Sequence, residues 1–285
     1  MTAQRDIAAT LDELPLHVIT PPGSWPLPRI GELWEYRELV YFLVWREVKV
    51  RYKQTALGLA WAVIQPFFTM VVFSIFFGRL GKLPSDGLPY PLFAYSALLP
   101  WQLFAFALSE SSNSVVTNQR LITKVYFPRL IIPLTSVCVG LADFAVAFGV
   151  LLAMMAYYGV APGWAVVTIP LWTLLTVVTA LGVGLWLSAL NVKYRDIRYT
   201  IPFLTQIWMF ASPVAYSSSL IPEQWRGLYA MNPMVGVVEG FRWALLGQGG
   251  SPSLTVPVSG AAVLIVLVGG LFFFRRMERT FADVI

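Results

Sequence analysis

Charge is scarce in this sequence. Only 12% of its 285 residues are Asp, Glu, Lys or Arg, about half the share usual in a soluble domain, while 57% are hydrophobic. Histidine occurs once, at His17, and cysteine once, at Cys138. A single histidine in a polar tail excludes a histidine-ligated metal centre and a Ser-His-Asp triad. A single cysteine inside an apolar run excludes a disulfide framework and a thiolate metal site. No G-x-x-x-x-G-K-[ST] phosphate cradle occurs, and no polar stretch is long enough to form a nucleotide-binding domain. The first 28 residues hold no apolar core of signal-peptide length, and Asp6, Asp12 and Glu13 oppose the usual basic start, so the chain is expected to begin in the cytoplasm.

Long apolar runs are what the sequence has in abundance. A helix crosses the ~30 Å hydrocarbon layer in about 20 residues. Six segments meet that length, approximately 57–78, 91–111, 130–158, 164–190, 200–221 and 255–274. They lack the period-two alternation of barrel strands, so the predicted fold class is all-α integral membrane with six transmembrane helices. The cations set the orientation. Sixteen of the twenty Lys and Arg lie before the first run, after the second and fourth, and in the tail at 275–285. Only Arg79, Lys82, Arg226 and Arg242 lie in the alternate connections. Both termini are therefore predicted to be cytoplasmic. A surplus of five positive charges placed this way is a topology signal and does not imply a nucleic-acid partner.

The polar tail 1–29 ends in the proline-rich connector "PPGSWPLP". Residues 30–56 follow as a predicted amphipathic interface helix. On a helical wheel Ile30, Leu33, Trp34, Val40, Tyr41, Val44, Trp45 and Val48 share one arc, and Glu32, Glu35, Glu38, Arg46, Lys49 and Lys53 share another. Leu39, Phe42 and Leu43 spoil the polar face. Four cations, Arg46, Lys49, Arg51 and Lys53, crowd its end, placed to meet anionic lipid headgroups and to anchor the helix on the membrane surface before the chain turns in at Gly58. Two predicted cytoplasmic loops mix cations with ordered apolar residues. "TNQRLITKVYFPRLIIP" carries Arg120, Lys124 and Arg129; "NVKYRDIRYTIP" carries Lys193, Arg195, Asp196 and Arg198. They suit either docking of a soluble partner or topogenic charge alone. Residues 222–250 are too broken for a span, and Asn232-Pro233 divides them into helical pieces around 223–231 and 233–246. With Trp225, Tyr229, Phe241 and Trp243 this segment is expected to re-enter the outer membrane boundary, as the rim of a pathway or as an aromatic belt.

Asp143, in "VGLADFAVAFG", is the clearest intramembrane acid. It serves either a structural bond to hydroxyls or to an arginine of a neighbouring helix, or a proton relay. A single buried acid favours the structural role. A lipid- or sugar-processing enzyme needs paired carboxylates, and Asp196 and Glu239 fall on opposite sides of the predicted topology. With no phosphate cradle in the chain, active transport draws on an ion gradient or on another polypeptide.

Four stretches then resemble, in order, the permease subunits of type 2 ABC exporters: "WREVKVRYKQTALGLAWAVIQP" at 45–66, "NQRLITKVYFPRLIIP" at 118–133, "ADF" at 142–144 and "LNVKYRDIRYTIPFLTQIWMFASPVAY" at 190–216. The likeness is strongest to permeases that export O-antigen, capsular polysaccharide or teichoic acid, and it runs from about residue 30 to the C-terminus. The resemblance implies a multi-pass homodimer in the bacterial cytoplasmic membrane, with two copies of a separate ABC ATPase that bind ATP and Mg while this chain binds no cofactor. It implies ATPase contact through the interface helix and the two mixed loops, an outer gate at 222–250, and a long glycan on polyprenyl diphosphate as cargo. For such a cargo, aromatic side chains suit weak, repeated contact with sugar rings. The expected wall residues are Trp61, Phe68, Phe203, Trp208 and Tyr216, with Tyr229 and Trp243 toward the exit. The basic cluster Arg46, Lys49, Arg51 and Lys53 is expected to draw the diphosphate to the inner mouth. An exporter of drugs or small lipids, and a proton-coupled transporter using Asp143, are the alternative readings.

Overall fold

The computed structural model describes residues 30–53, 60–247, 255–278 and Phe281. Every regular element among them is helical. The N-terminal tail, the turn at Gly58 and most of the C-terminal tail lie outside the described residues.

The chain opens with α1 (Ile30–Glu35) and α2 (Arg37–Lys53), separated at Tyr36. The predicted two-faced helix is corrected here. Leu33, Tyr36, Leu39, Val40 and Leu43 face the protein, whereas Trp34, Tyr41, Phe42 and Trp45 are exposed. Two of the three residues that spoiled the polar face on paper, Leu39 and Leu43, thus belong to the packed stripe, at helical spacing. The aromatic set faces away from the bundle.

Helix α3 (Ala60–Phe73) continues as a π-helical stretch, Ser74–Leu80. Helix α4 (Tyr90–Thr117) is the buried axis of the molecule, packed against α3 and every later long helix except the last. Pro91 sits in its first turn, where no amide donor is needed. The Ser112 hydroxyl donates to the Leu108 carbonyl at 2.6 Å, so this polar group is satisfied inside the bundle. A six-residue helix, α5 (Gln119–Lys124), leads to α6 (Ile131–Tyr157). A 3-10 turn, Trp164–Thr168, opens α7 (Ile169–Lys193), which lies along both α4 and the last helix, α11 (Thr255–Glu278). The latter contact needs two glycines. A Cβ on Gly270 would stand 2.3 Å from the Gly182 carbonyl oxygen, and one on Gly182 would stand 3.0 Å from the Leu267 backbone. Small residues admit this backbone-to-backbone approach, which drives helix association in lipid.

Among the described residues five helical stretches, all but one of the predicted crossings, are long and apolar enough to span a membrane: 60–80, 90–117, 131–157, 164–193 and 256–278. The predicted crossing at 200–221 is not one helix. α8 runs from Ile197 to Phe210, 14 residues, or about 21 Å of rise against a layer of ~30 Å. Pro213 disfavours helical backbone at Ser212, and the chain leaves the helix as turns through Ser217. Two further helices follow, α9 (Glu223–Ala230) and α10 (Pro233–Leu246). The Asn232 side chain caps α10 by accepting from the Met234 amide, and Gly247 closes it with a left-handed φ of 66°. α10 is a core element. Met234, Val238, Phe241 and Leu245 are buried against α4, α7 and α11, so Phe241 is no part of an aromatic belt. Arg242, counted as an outer cation, is buried too.

Candidate functional site

Helices α3 and α8 both lean on α4 and leave a cleft between them, floored by α4 and α6. Its volume is about 460 Å3. Trp61, Gln65 and Thr69 line it from α3 at successive turns of one face; Trp101, Gln102 and Phe106 line it from α4, and Thr205 and Gln206 from α8. Three primary amides and two indoles therefore converge on a groove in otherwise apolar helices. The threonine hydroxyls donate to carbonyls one turn back, Thr69 to Gln65 at 2.9 Å and Thr205 to Pro202 at 2.8 Å, which leaves their lone pairs facing outward as acceptors. A wider groove of about 820 Å3 lies between α3 and the end of α6. Its walls are side chains such as Met70, Val150 and Met154, the chemistry of a lipid-facing surface and not of a polar path.

At the end of the cleft beside α2 the Arg51 Nη2 lies 2.8 Å from Asp143 Oδ2, and the Tyr52 hydroxyl donates to the other carboxylate oxygen. Burial pushes the Tyr52 phenol up to about 12, helped by that hydrogen bond and the Asp143 charge, so it stays a donor at any physiological pH. The guanidinium carbon of Arg51 also stands 4.3 Å from the centroid of the Phe106 ring. Asp143 thus has the arginine and hydroxyl partners of a structural acid.

The predicted wall residues fall in different places. Trp61 lines the cleft. Phe68 and Phe203 are exposed on α3 and α8 outside the lining. Trp208 packs edge-on to Phe104 at 4.9 Å, and its indole N–H donates to Asn232 at 2.8 Å. The Tyr216 hydroxyl donates to the Phe210 carbonyl and accepts from Tyr229, while Trp243 packs against Trp164. The residues that sequence reasoning passed over are Gln65, Thr69, Trp101, Gln102, Thr205 and Gln206. Their signal was present: isolated amides inside apolar runs, spaced one helical turn from another polar or aromatic residue.

The basic cluster predicted for the inner mouth is divided as well. Arg46 pairs with Glu47 at 2.7 Å, Lys49 lies over the Trp45 ring, Arg51 faces the cleft and Lys53 is exposed. Arg120, Lys124, Lys193, Arg195, Asp196 and Arg198 are exposed around one apolar cluster that gathers Leu43, Val115, Ile122, Val192 and Phe274, which places them at one end of the bundle. Arg129 is committed elsewhere, donating to the Glu278 carbonyl and lying over the Phe281 ring.

At the opposite end, Arg242 holds the loop that follows α8. It donates to the carbonyls of Val214 at 3.1 Å and Tyr216 at 3.3 Å, with its charge 3.6 Å from the Phe93 ring centroid. The Tyr90 hydroxyl donates to the Ala215 carbonyl at 2.6 Å. Carbonyls freed where the helix stops are thus met by protein donors, the condition for irregular backbone at membrane depth.

This chain is 32% identical over 255 residues to the O-antigen export system permease protein RfbA of Myxococcus xanthus, covering 87% of this chain and 96% of that protein. It is 27% identical to an RfbA of Klebsiella pneumoniae, over 87% of this chain and 95% of that one. It is 24% identical to the polysialic acid transport protein KpsM of Escherichia coli, over 82% and 91%. Residues 38–246, from within α2 to the end of α10, match the model of the ABC-2 type transporter family. Most of the chain is covered by that match, and the chain belongs to the ABC-2 type transporter family.

Proposed function

We propose that this chain is the membrane-spanning permease of an exporter carrying lipid-linked polysaccharide, an O-antigen or similar glycan on polyprenyl diphosphate, across the bacterial cytoplasmic membrane. The observation that carries the reading is the cleft lining. Each glutamine amide offers a donor and an acceptor to sugar hydroxyls, and the exposed Trp61 offers a face to the apolar side of a sugar ring, while Trp101, packed on Phe104, backs the wall from the core. A long polymer needs many weak contacts of this kind, because a tight site would hold it in place. Relatives named for O-antigen export and polysialic acid transport support the same cargo class.

Energy comes from two copies of a separate ABC ATPase, which bind ATP and Mg. They dock on the exposed Arg120, Lys124, Lys193, Arg195, Asp196 and Arg198 at the cytoplasmic end. Two copies of the permease pair in the membrane with both termini cytoplasmic. In this topology α8 and the loop held by Arg242 make the remaining crossing, and α9 and α10 form the outer gate. Pairing of Asp143 with Arg51 and Tyr52 argues against a proton relay. Co-purification with the ATPase encoded beside it, followed by hydrolysis assays in proteoliposomes, tests the reading. Lipid-linked glycan is expected to stimulate hydrolysis several-fold, and the reading fails if only small amphipathic compounds do so.

A further inference from the structure

Two cavities meet at one pair of side chains. Beside the cleft, toward the end of α4, lies a second cavity of about 160 Å3, whose lining includes Glu47 of α2, Glu110, Ser114 and Asn118 at the end of α4, and Ser136 of α6. The residues common to both linings are Arg51 and Phe106. The partition is therefore a guanidinium stacked on an aromatic ring and fastened at 2.8 Å to Asp143 of a different helix.

We infer that Arg51, held by Phe106 and Asp143, is the inner barrier residue of the translocation path, closing a polar cytoplasmic vestibule from the membrane cleft. The inference rests on the cleft being that path. Arg51 rides on α2, which packs against α6 and lies at the end of the bundle proposed to dock the ATPase. A shift of α2 relative to α6 separates the ion pair, a contact that is either made or broken and so supports two discrete states. Tyr52 rides on the same helix as Arg51, so its bond to Asp143 is released in the same step, and the acid is left lining the polar cleft. The charges around Arg51 also separate it from the headgroup-attracting cations. Asp143 is its direct partner, and Glu47 and Glu110 line the adjoining cavity, Glu47 being paired with Arg46. An anionic diphosphate is repelled by such a setting, which holds a guanidinium in place as a closure.

The test uses the full permease with its ATPase in inverted membrane vesicles, with Cys138→Ser removing the native thiol and Gln102→Cys placing a reporter in the cleft one turn from Phe106. The cationic, membrane-impermeant thiol reagent MTSET is added from the cytoplasmic side. In this parent the reporter is expected to react slowly. In the Arg51→Ala/Asp143→Ala background, which leaves neither charge unpaired, it is expected to react about tenfold faster. An unchanged rate in the double variant overturns the inference. So does a parent rate equal to that of Tyr126→Cys, which reports the fully accessible cytoplasmic surface. Arg51→Lys retains the charge and is expected to stay slow, which separates closure from a general loosening of the fold. Block of glycan-stimulated hydrolysis by the modified reporter is read separately. It reports on the path itself, so failure of the path and failure of the barrier are told apart.

Discussion

Asn232 is the residue on which the junction between α8 and α10 turns. Its Oδ1 accepts from the Met234 amide at 3.0 Å and from the Trp208 indole at 2.8 Å, and its Nδ2 donates to the Ala211 carbonyl and the Ser212 hydroxyl, both at 3.0 Å. The full capacity of one amide is thereby used. It caps α10 and ties that cap to the last turn of α8. Asn232→Ala removes every one of these bonds and is expected to cost roughly 2–4 kcal/mol, the sum of a cap and several net hydrogen bonds. Asn232→Asp keeps both acceptor contacts and loses the donors, so its loss is expected to be about half as large. Thermal unfolding in detergent, followed by tryptophan fluorescence, ranks the two. Equal losses would mean that the cap and the indole contact contribute little.

The elements were legible where one physical signal governs them. α4, α6 and α7 follow from apolar length, and the α9–α10 pair follows from Asn232-Pro233. The end of α8 did not, because hydropathy runs on through Ala211–Tyr216. The helix stops there around Pro213, and Tyr90 and Arg242, distant in sequence, satisfy the carbonyls it frees. The cleft escaped for a related reason. Gln65, Gln102 and Gln206 come from three helices whose convergence is set by packing on α4, while aromatic candidates such as Trp208 were claimed by packing. The corner between α7 and α8 is shorter than the sequence suggested, only Tyr194–Asp196, so Arg195 projects from a rigid joint. Arg195→Glu is expected to cut export about tenfold while leaving membrane insertion intact, because a reversed rim charge costs on the order of 1.4 kcal/mol of docking. Transport and ATP hydrolysis measured on the same vesicles check this, and wild-type coupling in the variant would remove the corner from the docking surface.

At the scale of the whole molecule the cleft poses a solvation problem. Its amides open sideways between α3 and α8, and polar groups facing hydrocarbon are costly unless protein or water covers them. The flanking surfaces, with Phe68 and Val72 on α3, Phe76 on its π-helical continuation, and Phe203, Ile207 and Phe210 on α8, are apolar and exposed. A second copy related by a two-fold axis would bring the same surfaces together on both sides, bury the apolar flanks and enclose two clefts as one wet path. Homodimerisation through α3 and α8 therefore follows from the proposed function, and cross-linking locates it. In the Cys138→Ser background, Phe203→Cys on α8 is expected to give a covalent dimer with a short bis-maleimide. Phe272→Cys, also exposed, on α11 but away from the cleft, is expected to remain monomeric on a denaturing gel. The reverse pattern would put the dimer axis at α11 and leave the glutamines facing lipid, an arrangement that their chemistry disfavours.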